Sequence, residues 1–169
     1  MKILIVSDNH NDDTRLYDLL NIYEDIDYWL HCGDSEFYVN HELWQSYQTV
    51  RGNMDWEGQF PEVRMVETPY MNVVVLHGHK HRVKMTNDLM AEEALKQNAK
   101  IVFYGHTHVA KVEYENGLYF INPGSISQPR GNLNVGSYAI YEKDESREII
   151  TFYDWHHNEL PELSQTLNR

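Results

Sequence analysis

The apolar residues of this chain fall into short runs, each of strand length and each stopped by a polar cluster. Residues 2–6 form the first run, which ends at Ser7-Asp8. A stripe at helical spacing follows, Leu16, Leu19, Leu20 and Tyr23, with Asn11, Asp12 or Asp13 as candidate N-cap. Residues 26–32 read as a second strand, so the chain opens with a βαβ unit. The pattern at 36–48 is ambiguous: Phe37, Leu43, Trp44 and Tyr47 fit a short helix. Further strands are predicted at 49–51, 63–66 and 72–76, the last two around a turn near Pro69. A helix capped by Thr86 or Asn87 would bury Met90, Ala91, Ala94 and Leu95, and a strand starts at Lys100.

After His108 the period shortens to two. Ala110, Val112 and Tyr114 alternate with charged residues, and Asn116-Gly117 predicts a tight hairpin turn into a return strand at 118–121. Residues 122–131 read as a loop too polar and broken for the core, 137–141 and 148–153 as a final strand pair, and 156–169 as a tail without pattern. The result is an α/β chain, and its 169 residues suit one domain spanning 1–169.

Composition narrows the function. A formal net charge of -12 argues against binding of long nucleic acid, which relies on lysine and arginine displacing counterions. No apolar run approaches membrane-spanning length, and the first is too short for a signal peptide. The single cysteine, Cys32, allows no internal disulfide, so a cytoplasmic location is expected. A homo-oligomer is compatible with all of this.

The candidate chemistry lies where the runs stop. Asp8-Asn9-His10, Gly33-Asp34, Gly52-Asn53, His77-Gly78-His79 and Gly105-His106-Thr107-His108 each follow a strand-like run directly. Such mixed oxygen and nitrogen donors suit manganese, iron, zinc or nickel better than calcium or magnesium alone. Asp34 follows a glycine, where the backbone can turn tightly and bring a carboxylate in close. Arg130 could clamp a phosphate in bidentate fashion or equally form a surface ion pair, and His79 stands in a loop beside the site. Asp55 could orient Asn53 or His77, or simply cap a turn. His31 is expected to pack within its strand, and His41, His156 and His157 to face solvent.

In order and spacing, these stretches resemble the five motifs of the calcineurin-like metallophosphoesterases, and Asn122-Pro123-Gly124-Ser125 to Arg130 resembles a loop of their small phosphodiesterase branch in bacteria and archaea. The resemblance implies a four-layer αββα sandwich of two mixed sheets. It also implies two divalent ions, manganese in first place with zinc, iron, nickel or magnesium as alternatives. Asp8, His10 and His108 would hold one ion and Asn53, His77 and His106 the other, with Asp34 bridging. Asp34, Asn53 and His79 would take part in the catalytic step, and Arg130 and His79 would contact a small phosphoester. In that family a hydroxide between ions about 3.5–4 Å apart attacks phosphorus in line. Two dications with Asp8, Asp34 and that hydroxide sum to roughly +1, so the site can attract an anion that the whole molecule repels. One departure matters: many members of that superfamily carry a histidine after the motif asparagine as a proton donor, whereas this chain has Met54, and the small phosphodiesterase branch it resembles also lacks that histidine. A catalytically weak scaffold like the retromer sorting subunit is the alternative, and a carboxylic-ester hydrolase is a third class.

Overall fold

The computed structural model describes residues 1–167. Its first sheet runs in the order β11-β10-β9-β1-β2-β3 and its second in the order β4-β5-β6-β8-β7. The strands are β1 (Lys2–Val6), β2 (Tyr28–His31), β3 (Tyr47–Thr49), β4 (Val63–Glu67), β5 (Asn72–Leu76), β6 (Ala99–Phe103), β7 (Lys111–Glu115), β8 (Leu118–Asn122), β9 (Ser137–Lys143), β10 (Glu148–Asp154) and β11 (Gln165–Thr166). The helices are α1 (Thr14–Ile22), α2 (Asp88–Lys96) and a 3-10 turn at Glu42–Gln45.

Strand alternation explains the layers. Ile3 and Ile5 point between the sheets, where they meet Val73, Val75, Ile101, Phe103 and Ile121 of the second sheet. Leu4 and Val6 point outward on to Leu16 and Leu19 of α1. Val74, Leu76 and Val102 likewise point outward on to Met90 and Ala94 of α2. Both faces of the central strands are therefore buried, which is why they read as unbroken apolar runs. The order is helix, sheet, sheet, helix, the four-layer sandwich expected.

Parallel pairing positions the site. β1, β2 and β3 are parallel neighbours, as are β5, β6 and β8, so each group delivers its carboxyl ends to one edge. Asp8, Asp34 and Asn53 follow the first group, and His77 and His106 the second.

Several expectations are corrected. Tyr47 belongs to β3, which is only three residues long and starts earlier than predicted. Leu95 is 69% exposed, so the buried face of α2 is narrower than its sequence suggests. Tyr114 is also exposed, although its ring lies against Tyr119 at 4.6 Å. Residues 122–126 are buried, contrary to the reading of 122–131 as a surface loop. The tail contains β11, which pairs with Ile149 and Ile150; Asn168 and Arg169 lie outside the described residues. The Asn116-Gly117 turn forms as predicted, with φ of 52° and 82°, both in the left-handed region such a hairpin needs. No helix among the described residues is long and apolar enough to cross a membrane.

Candidate metal centre

Three imidazoles are oriented by oxygens that can only accept. His77 Nδ1 donates to Cys32 O at 2.7 Å, His108 Nδ1 to Gln128 O at 2.7 Å, and His10 Nδ1 to the Glu36 carboxylate at 2.8 Å. Each ring must carry its hydrogen there, so each neutral ring turns the lone pair of Nε2 toward the others. His10 Nε2 and His108 Nε2 face each other at 3.3 Å, and His108 Nε2 lies 3.2 Å from Asp8 Oδ1. His77 Nε2 lies 3.2 Å from Asn53 Oδ1, 3.3 Å from Asp34 Oδ2 and 3.9 Å from Asp8 Oδ1. Asn53 Oδ1 in turn lies 2.9 Å from His106 Nδ1.

The carboxylates are anchored by one oxygen each. Asp8 Oδ2 accepts from Ser7 Oγ at 2.5 Å and from the His106 N–H at 3.1 Å. Its Oδ1 is buried with no hydrogen-bond partner. Asp34 Oδ1 accepts the Met54 N–H at 2.7 Å, leaving Oδ2 for His77. Lone pairs thus converge with no donor between them, an arrangement that repels itself unless a cation or proton intervenes. The donor atoms of Asp8, His10 and His108 lie within 4.8 Å of one another, as do those of Asp8, Asp34 and His77, a spread on the scale of one coordination sphere. Asp8 is common to both groups.

Electrostatics agree. Burial raises the Asp34 pKa, but the His77 contact and charge and the Met54 N–H outweigh it and hold the group at about 2. Burial alone would lower the His77 pKa; the contact with Asp34 and the charges of Asp8 and Asp34 reverse the sign and leave it raised. His106 falls to about 4 through burial, then through His77 and Lys84, so it is a neutral donor at pH 7.

The backbone is strained at the same places. Asp8, His10, Asp34, His106 and His108 have φ of 55°, 45°, 58°, 66° and 61°. Left-handed backbone costs a non-glycine residue about 1 kcal/mol, and such strain gathers at functional sites. Two glycines are dictated by close approach. A Cβ at Gly52 would lie 2.0 Å from Asp34 Oδ1, and one at Gly105 would lie 2.1 Å from Ser7 Oγ and 2.7 Å from Asp8 Oδ2.

Glu36, Lys84, Ser127 and Gln128, which the sequence did not single out, help complete the setting. Glu36 orients His10 and lines the cavity over the site, whose volume is ≈ 400 Å³. Lys84 lines it too, together with Arg130, Met54 and Gln128. The segment after β8 is a support: Ser125 Oγ and Ser127 Oγ donate to Asp8 O at 2.7 and 3.0 Å, and Asn122 Nδ2 donates to Gly105 O at 2.8 Å. Asp55 orients neither Asn53 nor His77. It accepts from the N–H groups of Asp34, Ser35, Glu36 and Gly52 at 2.7–2.9 Å, and from Ser35 Oγ at 3.0 Å. His31 is buried and neutral, its pKa lowered to about 4 chiefly by burial, and links Asn9 at 2.8 Å to Thr49 at 3.1 Å. His79 lies outside the main cavity, in an adjoining hollow with His106, its ring 5.4 Å from that of His77.

Comparison with known proteins places the chain in a family. Residues 1–146 match the calcineurin-like phosphoesterase superfamily domain. The chain is 34% identical over 164 residues to the probable metallophosphoesterase YsnB of Bacillus subtilis, covering 96% of each. It is 36% identical over 104 residues to the phosphodiesterase YfcE of Escherichia coli, covering 56% of this chain and 52% of that protein. A conserved uncharacterized protein of Streptococcus pneumoniae, a predicted phosphoesterase, superposes with a TM-score of 0.93 at 33% identity, covering 99% of this chain and 97% of that one.

Proposed function

The chain belongs to the calcineurin-like phosphoesterase superfamily, and from that premise we propose that it is a metal-dependent phosphodiesterase acting on a small phosphoester. The observation that carries this reading is the buried, unpartnered Asp8 Oδ1, with imidazole nitrogens of His108 and His77 turned toward it. We assign Asp8, His10 and His108 to one cation and Asn53, His77 and His106 to a second, with Asp34 between them; manganese fits the mixed donors. When bound, such ions supply Lewis acidity and lower the pKa of water toward neutrality.

The chain's own residues do the rest. Lys84 and Arg130 line the cavity and make no ion pair among the described residues, although Asp and Glu number 26 against 14 Lys and Arg. Two cations left unpaired in so acidic a chain are available to an anionic phosphate. Met54 beside Asn53 cannot donate a proton, so good leaving groups are favoured over alkoxides. A diester carries one negative charge fewer than a monoester, which suits a site whose leaving group gets no proton.

The test is hydrolysis of bis(p-nitrophenyl) phosphate by metal-stripped protein reloaded with Mn²⁺, against His106→Ala. Turnover well above that variant is expected. No turnover with Mn²⁺, Zn²⁺, Fe²⁺, Ni²⁺ or Mg²⁺ would favour the scaffold, and turnover of carboxylic esters without inhibition by phosphate would favour the third class.

A further inference from the structure

Two residues of the cavity lining, Glu36 and Met54, lie close in sequence to an exposed aromatic pair, a surface unlike the lining that bears Lys84 and Arg130. Met54 lines the cavity, is 54% exposed, and is fixed through its N–H to Asp34. Two positions on, Trp56 is 58% exposed; two positions after the cavity-lining Glu36, Tyr38 is 60% exposed. The two rings stack on each other, centroids 5.9 Å apart and planes 16° apart.

Their base is stiff. Tyr38 O accepts from Trp44 Nε1 at 2.9 Å, the Val39 N–H donates to Gln59 Oε1 at 2.8 Å, and Phe37 stacks on His41 at 4.4 Å. Asp55 ties the start of this loop to the loop that carries Met54. Three large apolar side chains stay exposed on a braced support that shares its backbone with the cavity. Aromatic faces held in this way accept flat π-systems with little loss of conformational entropy.

We infer that Tyr38, Trp56 and Met54 form a seat for a flat unsaturated group of the substrate, so that the preferred phosphodiesters carry an aryl or heteroaryl ester group. The inference rests on the phosphoesterase reading and adds the substrate class. Met54 and Glu36 line the cavity and each stands two residues from one of the two rings, and this continuity points to an ester group of a phosphodiester held in the cavity as the occupant.

Two diesters with the same leaving group isolate the seat: bis(p-nitrophenyl) phosphate and methyl p-nitrophenyl phosphate. The Mn²⁺-loaded protein should favour the first, mostly through KM, and Trp56→Ala or Tyr38→Ala should lower the ratio of kcat/KM values about tenfold. Met85→Ala, at an exposed methionine outside the cavity, should leave the ratio unchanged. As a second readout, diphenyl phosphate should change the tryptophan emission of the wild type but not of Trp56→Phe. An unchanged ratio in both aromatic variants, or a dimer that becomes a monomer in Trp56→Ala, would overturn the seat. If the wild type hydrolysed neither ester, the phosphoesterase reading would fail, and the emission titration would still decide the seat.

Discussion

Replacing Asp55 by asparagine tests how the ligand loops are held. The carboxylate accepts five hydrogen bonds, Oδ1 from Ser35 N, Ser35 Oγ and Glu36 N, and Oδ2 from Asp34 N and Gly52 N. An amide has one acceptor oxygen. In its better orientation it keeps the three bonds at Oδ1 and turns an NH₂ group toward the N–H groups of Asp34 and Gly52. Two bonds to a charged acceptor are lost in a buried position, each worth about 1.5–3 kcal/mol. Relaxation and water recover part of this, so urea unfolding of the metal-free protein should show a loss of about 3 kcal/mol. A domain with about 5–15 kcal/mol of stability survives that. Calorimetric titration should show Mn²⁺ affinity lowered about 10–100-fold, because the backbone of Asp34 and of Gly52 loses its common anchor. Stability within about 0.5 kcal/mol of wild type, with unaltered affinity, would refute the reasoning.

Gly52→Ala places a methyl group against the Asp34 carboxylate and backbone N, at 2.0 and 2.3 Å, where side-chain rotation cannot relieve the backbone contact. A loss of about 3 kcal/mol or more, with Mn²⁺ stoichiometry below wild type by metal analysis, is expected. The raised pKa of His77 means that cation binding must displace a proton as pH falls, so Mn²⁺ affinity by calorimetry should weaken progressively with falling pH, with proton uptake by the buffer. The depressed carboxylates give the opposite stability contribution. Asp34 stabilises the fold above its ordinary value of 3.8 and loses that contribution as pH falls through about 2, so the metal-free protein should show an acid transition there by circular dichroism. Met54→His should raise kcat on alkyl esters about tenfold or more relative to aryl esters; an equal effect on both would remove the leaving-group explanation.

Much of this site is visible in the sequence because its donors follow directly on strands whose two faces are both apolar. The run ending at Val6 announces Asp8, the run ending at Leu76 announces His77, and the run ending at Phe103 announces the Gly105–His108 stretch. β3 leaves a weaker trace, since its three residues alternate too briefly to show a period. β11 is two exposed residues held by backbone pairing, which leaves no hydrophobic trace. Glu36, Lys84 and the serines after β8 reach the site only through tertiary contacts made across dozens of positions. Asp55 lies two residues after Asn53 in sequence, yet it acts on the loop of Asp34.

The donors come from both sheets: Asp8, His10, Asp34 and Asn53 from the edge of one, His77, His106 and His108 from the edge of the other. Ions held among them would therefore work as a rivet through two plates. Any slippage between the plates would open the rivet, and loading it would lock their alignment. Metal content and the seating of the distant core, where Ile5 meets Phe103, thereby become two readings of one mechanical state.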